Sequence, residues 1–304
     1  MASGKEIKAR IKSVTNTKKI TRAMELISTV KMKKAQEGVL SSRPFAIAAL
    51  RIFANVSESL ADIPSIGGHK YTTDRELLVV ISSNKGLCGG YNVNTFKKVA
   101  EYRKTHPGTT LDYITIGKKA REFILRTGGN LVADFSDAMK DAIEIGDVKP
   151  ISSMLREFFM KQSHEKLNYD AVKIVHSYYI SAINQKAVVK QFLPLDRTDI
   201  VEFLTEIAGQ EVKTVEESVK YNIEPDTETI ANEVIPMILS MLLYEILLES
   251  KASEHSSRMV AMKNAKDSAT KKVSALTLSY NKARQASITK EVSEIVSGVE
   301  SMKE

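Results

Sequence analysis

The residues best placed to do chemistry lie in a glycine-rich loop at positions 82–90, which reads SSNKGLCGG. A glycine-rich turn between a strand and a helix is where nucleotide-binding folds hold phosphate, because small residues let backbone N–H groups approach the anion. The spacing G-x-x-G-G matches neither the dinucleotide-binding pattern nor the P-loop, and Lys85 precedes the glycines. The spacing of the glycines therefore argues against a phosphate-binding site in this loop.

Cys88 in that loop is the only cysteine, which excludes an intramolecular disulfide and suits a reducing compartment. A nucleophilic thiol needs a nearby histidine or a helix N-terminus. The five histidines are scattered and none has a spacing that implicates it, and no His, Cys or carboxylate group has metal-ligand spacing. We expect the isolated chain to have no catalytic residues, no metal and no cofactor.

Positive charge is concentrated at the two ends of the chain. The formal net charge is +7, and residues 1–34 carry ten basic side chains against two acidic ones. Residues 258–290 carry eight basic side chains against Asp267 alone. This pattern fits either a solvated helical face or a surface for an acidic partner. Among acidic partners a carboxylate-bearing protein is favoured over nucleic acid, because Tyr280 is nearly the only interleaved aromatic residue and no DNA- or RNA-binding motif is present.

Both basic ends have the composition of long helices. Residues 226–297 contain no glycine and only one proline, Pro236, and as one helix they would extend about 108 Å. Residues 5–37 contain neither glycine nor proline. We predict a first helix over residues 3–60, with a kink or short break at Pro44.

The middle of the chain alternates strand and helix patterns, which favours an α/β sandwich with a largely parallel sheet ending in an antiparallel hairpin. Residues 197–219 are ambiguous, 219–223 fit a last short strand, and Asp226 or Thr227 could cap the final helix. The predicted strands are residues 76–82, 111–116, 131–135, 171–181 and 186–195, and the predicted helices are 118–126 and 151–166.

The final helix has the periodicity of a helix that packs against a partner. Residues in steps of three or four form a seam of mostly small or flexible side chains. The first helix has a narrower matching stripe, so we predict that the chain ends pair antiparallel; separate packing of each helix onto the sheet stays open. The seam comprises Met259, Met262, Lys266, Ala269, Val273, Leu276, Tyr280, Ala283 and Ser287, and the matching stripe comprises Ile7, Ile11, Val14, Met24 and Ile27.

Specific strings then point to a family. The C-terminal string YNKARQASIT at residues 280–289 closely resembles the signature of the gamma subunit of F-type ATP synthase. Three further segments agree in family order: ITRAME at 20–25, GLCGG at 86–90 and RMVAMK at 258–263. The resemblance covers essentially the whole chain.

The resemblance implies a central rotor stalk that couples rotation of the ion-driven c-ring to conformational cycling of the catalytic beta subunits. The implied fold has a helical coiled coil at residues 1–60 and 226–304 and a Rossmann-like α/β domain at 61–225. The implied partners are the ring of three alpha and three beta subunits, the epsilon subunit and the c-ring, with no nucleic acid and no direct membrane insertion. A non-rotary coiled-coil scaffold or adaptor with an α/β module is the alternative.

The resemblance also assigns contacts residue by residue. Arg284 and Gln285 match the family's catch, which hydrogen-bonds a beta-subunit loop. Tyr221 and Glu224 match positions near the polar loop of the c-ring. The remaining implied beta contacts are Met24, Lys18, Lys19, Arg22, Lys85 and Cys88, and the implied bearing residues at the tip are Ile288, Val292, Ile295 and Val299.

Two departures from the family pattern are visible. The family commonly has Asp-Arg where this chain has Asn84 and Lys85, which puts in doubt any contact that needs that carboxylate or a guanidinium. Gly298 and Val299 stand where the family has Gly-Ala.

The N-terminal residues lack the apolar core of a secretory signal. We read the basic N-terminus as mature structure and expect a bacterial peripheral membrane protein on the cytoplasmic face, in preference to the mitochondrial matrix face.

Overall fold

The computed structural model describes residues 4–56, 73–160, 169–208 and 226–302. Its contacts group into two units, which we call the helical unit (Met1–Ser28 with Arg258–Glu304) and the sheet unit (Thr29–Ser257). Helix α1 spans Gly4–Val56, and the last helix, α6, spans Thr227–Ser301. The three-part division at residues 60 and 225 stays a prediction.

In its described residues the sheet unit contains five strands in the order β3-β2-β1-β4-β5. Neighbouring strands are parallel except for β4 and β5, which pair antiparallel as the hairpin pattern predicts. The predicted fold class is thereby confirmed. The strands are β1 Arg75–Ile81, β2 Thr110–Ile116, β3 Asn130–Asp134, β4 Ala171–Tyr179 and β5 Gln185–Leu193, and the helices between them and after them are α2 Tyr91–Thr105, α3 Lys118–Arg126, α4 Ile145–Met160 and α5 Arg197–Ala208.

Alternating side chains of the strands feed two apolar cores, one on each face of the sheet. Leu78 and Val80 point into a small core with α2 and α3. Leu77, Val79 and Ile81 point into a larger core that includes α4 and α5. Because both faces are covered, the central strand β1 is a nearly continuous apolar run, as buried parallel strands are.

The inner segments of the two terminal helices complete the larger core. Leu50 and Phe53 of α1 and Leu242 of α6 are almost completely buried there. Packing of the terminal helices onto the sheet, the alternative left open by the sequence, is therefore what these inner segments do. The short break predicted at Pro44 is wrong, since α1 is continuous through it. Packing of the apolar side chains just beyond Pro44 offsets the missing backbone hydrogen bond.

Helix α6 begins where the capping pattern predicts. The Asp226 side chain accepts a hydrogen bond from the backbone N–H of Thr229 at 2.8 Å, which satisfies one of the free donors of the first turn. The ambiguous segment after β5 begins as the helix α5. The predicted strand at 219–223 lies outside the described residues.

Candidate functional site

The seam predicted on α6 is present in the helical unit. Met262 and Ala269 are buried, and the residues between seam positions at 270–272 and 277–279 are exposed. Gly4 of α1 faces the Tyr280 ring, since a Cβ added to this glycine would lie 3.9 Å from the nearest ring carbon. Seam members from Met259 to Ala283 are all at least half-buried, and Ser287 is exposed.

An ion pair crosses this seam between the two helices. Lys266 of α6 lies with its Nζ 2.8 Å from an Oε of Glu25 on α1. The hydrogen bond to Glu25 raises the pKa of the Lys266 ammonium, and the charge of Glu25 adds to it although desolvation acts against it. A lysine in an otherwise small or apolar seam therefore has its partner on the facing helix, which fixes the register of the pair.

The stripe predicted for α1 is partly wrong. Ile27 is 55% exposed, whereas Thr21 and Ser28 are buried in its place. Small hydroxyl side chains let the helices approach closely, and the Thr21 hydroxyl is satisfied by the Thr17 carbonyl of its own helix at 3.0 Å. In the sequence, the complementary charges of Glu25 and Lys266 were the signal that could have predicted which face of α1 packs against α6.

An exposed apolar and basic face remains on α1, which we call the α1 face (Lys19, Ile20, Arg22, Ala23 and Ile27). Its members recur at helical spacing, and Ile20 is 60% exposed. Neither Lys19 nor Arg22 forms a salt bridge within the described ranges. Met24 and Lys18 lie beside this face along α1 and are half-buried. An apolar stripe between cations of this kind is typical of a surface for an acidic protein partner.

The end of α6 is exposed on every side. Among the described residues none covers positions 284–299, which include Arg284 and Gln285. Apolar side chains nevertheless recur there in steps of four, three and four, a spacing that indicates a face for a partner. The stripe, which we call the tip stripe, consists of Ile288, Val292, Ile295 and Val299, with exposures between 48% and 66%.

The glycine-rich loop of the sheet unit is held by its own polar contacts. Ser83 bonds to Asn92, and the Asn92 amide donates to the Cys88 Sγ at 3.3 Å. Cys88 is 3% exposed, while Lys85 and Leu87 are exposed. Cys88 therefore shapes the loop that presents Lys85, and its contact with the beta subunit stays a prediction.

Asn84 explains one departure from the family pattern. Its amide nitrogen donates to the carbonyls of Ser136 at 2.9 Å and Met139 at 3.2 Å. Its amide oxygen accepts from the backbone N–H of Lys118 at 2.9 Å. A carboxylate could accept the Lys118 bond but could not donate to two carbonyls, so this loop is built around an amide.

We expect Asn84→Asp to destabilise the sheet unit by about 2 kcal/mol, because it removes two donors and places a carboxylate beside two carbonyl oxygens. The matched control is Lys85→Arg, the other family residue, whose exposed side chain should leave stability within about 0.5 kcal/mol of the original. Urea unfolding of both variants measures the difference. Equal stability of the two variants would contradict the amide requirement.

Several features are absent from the described part of the chain. No group of three or more His, Cys, Asp or Glu side chains there could hold a metal ion. Of the helices in the same residues, none is long and apolar enough to cross a bilayer. Tyr221 and Glu224, the predicted c-ring contacts, lie outside the described residues.

The described residues define a class: a chain with an α/β unit built on a five-stranded sheet and a unit of two paired long helices that carry basic and apolar contact faces. A family model described as ATP synthase matches residues 3–302. The ATP synthase gamma chain of Stenotrophomonas maltophilia (strain R551-3) is 38% identical over 306 residues, covering 98% of this chain and 99% of that one. The chain therefore belongs to the ATP synthase gamma chain family.

Solved structures share the fold. A chain of the Euglena gracilis mitochondrial ATP synthase, described as OSCP/F1/c-ring, is similar with a TM-score of 0.64 and 19% identity, covering 99% of this chain and 95% of that one. A chain of the Tetrahymena thermophila mitochondrial ATP synthase, described as central stalk and c-ring, has a TM-score of 0.55 and 23% identity over 81% of this chain and 99% of that one. At this identity the likeness shows the fold.

Proposed function

We propose that this chain is the central rotor stalk of an F-type ATP synthase. The observation that carries the proposal is family membership over nearly the whole length, together with paired helices that end in an exposed apolar tip stripe. The solved relative described as central stalk and c-ring supports the same assignment. A non-rotary scaffold is not favoured, because the full-length relatives are ATP synthase gamma chains.

In this proposal the helical unit stands inside the ring of alpha and beta subunits and the sheet unit is associated with epsilon and the c-ring. Two different helices cannot present three equivalent faces, so each beta subunit meets a different surface. A shaft that contacted all beta conformations equally would shift no population, so the function depends on contacts that differ between states.

The named residues divide among these contacts. Arg284 and Gln285 bond a beta loop, and the α1 face with Lys18 and Met24 meets acidic beta segments. The tip stripe turns in an apolar bearing formed by alpha and beta. Tyr221 and Glu224 contact the c-ring.

The chain itself performs no bond chemistry in this proposal. Its role is a non-catalytic subunit of the ion-translocating complex, without a cofactor. We place it on the cytoplasmic face of a bacterial inner membrane, in keeping with the bacterial relatives.

Reconstitution tests the proposal. The full chain, carrying a visible probe on the sheet unit, should assemble with immobilised alpha and beta subunits and rotate in one direction when ATP is added. A complex that assembles and hydrolyses ATP while the probe stays still would refute the rotor function. Co-purification with a large complex containing alpha, beta and c subunits separates the rotor from the scaffold.

Met24→Lys should lower the ratio of protons pumped to ATP hydrolysed, because it adds a cation beside the acidic beta segments and alters the differential contacts. Met24→Leu keeps the side chain apolar and should preserve the ratio, which separates charge from seam packing. Proton uptake by vesicles containing the complex, measured against phosphate release, reports the ratio. A normal ratio for Met24→Lys would count against this placement.

A further inference from the structure

The segment between β3 and α4 contacts the glycine-rich loop and both terminal helices. We call residues 136–141 the brace, and it begins with a single turn of 3-10 helix at Ser136–Ala138. None of its residues belongs to the proposed contacts of the rotor. The side chains that bond to it from the loop and from the two helices all lie in the sheet unit, so these contacts are internal to that unit.

One backbone carbonyl of the brace is shared by the glycine-rich loop and α6. The Met139 carbonyl oxygen accepts a hydrogen bond from the Asn84 amide at 3.2 Å and another from the Lys251 ammonium at 3.3 Å. The Met139 side chain is 3% exposed and packs in the larger core, which fixes the position of the carbonyl. The loop and the last helix are therefore connected through a single backbone atom.

Lys251 is a buried cation on α6. Its side chain is 6% exposed, and its Nζ also lies 3.3 Å from an Oε of Glu254, one turn further along the same helix. A buried ion pair is weak evidence for stability, because apolar residues of similar volume are often at least as stabilising. What the ammonium adds is direction, since a hydrogen bond selects one acceptor whereas apolar packing against the sheet has no preferred direction.

The other end of the brace is bonded to α1. An Oδ of Asp141 lies 2.7 Å from the Nζ of Lys31. This hydrogen bond lowers the pKa of the Asp141 carboxyl against the opposing effect of burial, and the charge of Lys251 acts in the same direction as the bond. Asp141 is largely exposed, so the ion pair contributes little to stability and its loss should leave the fold intact.

We propose that the brace is a positioning segment that holds the glycine-rich loop, with Lys85, at a fixed place against the inner parts of α1 and α6. The inference rests on the proposed function, in which the loop contacts a beta subunit and the helices transmit torque. Each helix has its own bond to the brace, through Lys31 and Lys251, and the loop is bonded through Asn84. A loop held in this way turns with the helices when a partner pushes on it.

Spin labels test the brace in the full chain, without the complex. In a Cys88→Ala background, labels attached at Lys85→Cys in the loop and Leu40→Cys on α1 report the distance between two exposed positions by double electron–electron resonance. The original brace should give a narrow distance distribution. Asp141→Ala and Lys251→Met should each widen it about twofold, because the segment opens locally once one of its bonds is lost.

Lys140→Ala is the matched control. Lys140 lies in the brace between the two bonded residues, but its ammonium pairs with Asp147 of α4 at 2.6 Å instead of with a terminal helix. Its loss should leave the width unchanged, and Asp141→Glu, which keeps the carboxylate, should restore a narrow distribution. Because Asp141 is exposed, Asp141→Ala keeps the test decisive even where the buried Lys251→Met variant does not fold. An unchanged width in Asp141→Ala, or equal widening in Lys140→Ala, overturns the proposal.

The assembled complex provides the readout that a purely structural role would not change. Asp141→Ala should lower the ratio of protons pumped to ATP hydrolysed, whereas Lys140→Ala should keep it. A normal ratio in a variant whose distance distribution has widened would overturn the positioning role. Failure of the original complex to rotate would count against the proposed function instead, and the label distances in the isolated chain would still report on the brace.

Discussion

Replacing Arg284 and Gln285 together by alanine should lower ATP turnover of the assembled complex by about tenfold. Both side chains are exposed, so the helix loses no buried contact. A charge-assisted hydrogen bond that forms in only part of the rotary cycle contributes about 1.5–3 kcal/mol, and 1.4 kcal/mol corresponds to tenfold in rate. Steady-state ATP hydrolysis by the reconstituted complex measures the effect.

The neighbouring pair Asn281 and Lys282 provides the matched control. It also combines one cation and one amide, and both residues are exposed on the same helix. Alanine at both positions should leave turnover nearly unchanged. Equal losses from the two double variants would indicate a general effect of surface charge, and unchanged turnover in Arg284→Ala with Gln285→Ala would remove the catch assignment.

The strands could be predicted because burial on both faces forces apolar composition. The predicted segments 76–82 and 111–116 lie within one residue of β1 and β2 at each end, and α3 coincides with the predicted 118–126. Pro107 and Gly108 precede β2, Gly117 separates β2 from α3, and Gly128 follows α3. Pro44 misled the prediction, because packing around Leu50 and Phe53 outweighs a local helix breaker.

The seam of α6 was predictable and that of α1 was only partly so. On α6 small residues alternate with charged ones, so only one face of the helix is suited to pack against a partner helix. On α1 apolar residues occur on two faces, and the pattern alone cannot say that Thr21 is buried while Ile27 is exposed. When two faces of a helix have similar hydropathy, the helix that packs against it decides which face is buried. Here the ion pair between Glu25 and Lys266 shows which face of α1 packs against α6.

The candidate site was predictable in its residues and less so in their roles. The positions came from the resemblance, and exposure of Arg284, Gln285 and Lys85 agrees with a contact role without testing it. Burial of Cys88 and the two carbonyls facing Asn84 depend on how the loop closes against later segments. Such long-range contacts leave no local pattern in the sequence.

A buried histidine should make the sheet unit sensitive to acid in a way that a single substitution reveals. His176, in the middle of β4, is fully buried, and desolvation followed by the nearby charge of Lys190 lowers its pKa to about 3 from 6.5. Below pH 6.5 the unfolded chain therefore binds a proton that the folded chain does not. Stability contributed by the neutral histidine is present above pH 6.5 and falls as the pH is lowered toward 3.

Lowering the pH from 7 to 5 should reduce the free energy of unfolding by about 2 kcal/mol through His176 alone. The histidine of the unfolded chain takes up its proton mainly below pH 6.5, so about 1.5 pH units contribute, at 1.36 kcal/mol for each unit. Glu249 opposes this change. Burial raises the pKa of its carboxyl although Lys190 acts against the rise, so the folded state takes up a proton as the pH falls and gains stability. The original chain should accordingly show a flatter pH dependence than either group would produce alone.

Two variants separate these contributions. His176→Asn should gain about 2 kcal/mol relative to the original chain between pH 7 and pH 5, because it no longer titrates. Glu249→Gln should lose stability relative to the original chain over the same interval, because only the histidine then responds. Urea unfolding at pH 5, 6 and 7 measures both differences within one protein background. A stability difference between His176→Asn and the original chain that stays constant with pH would mean that the imidazole becomes protonated without unfolding, which its burial beside Lys190 argues against.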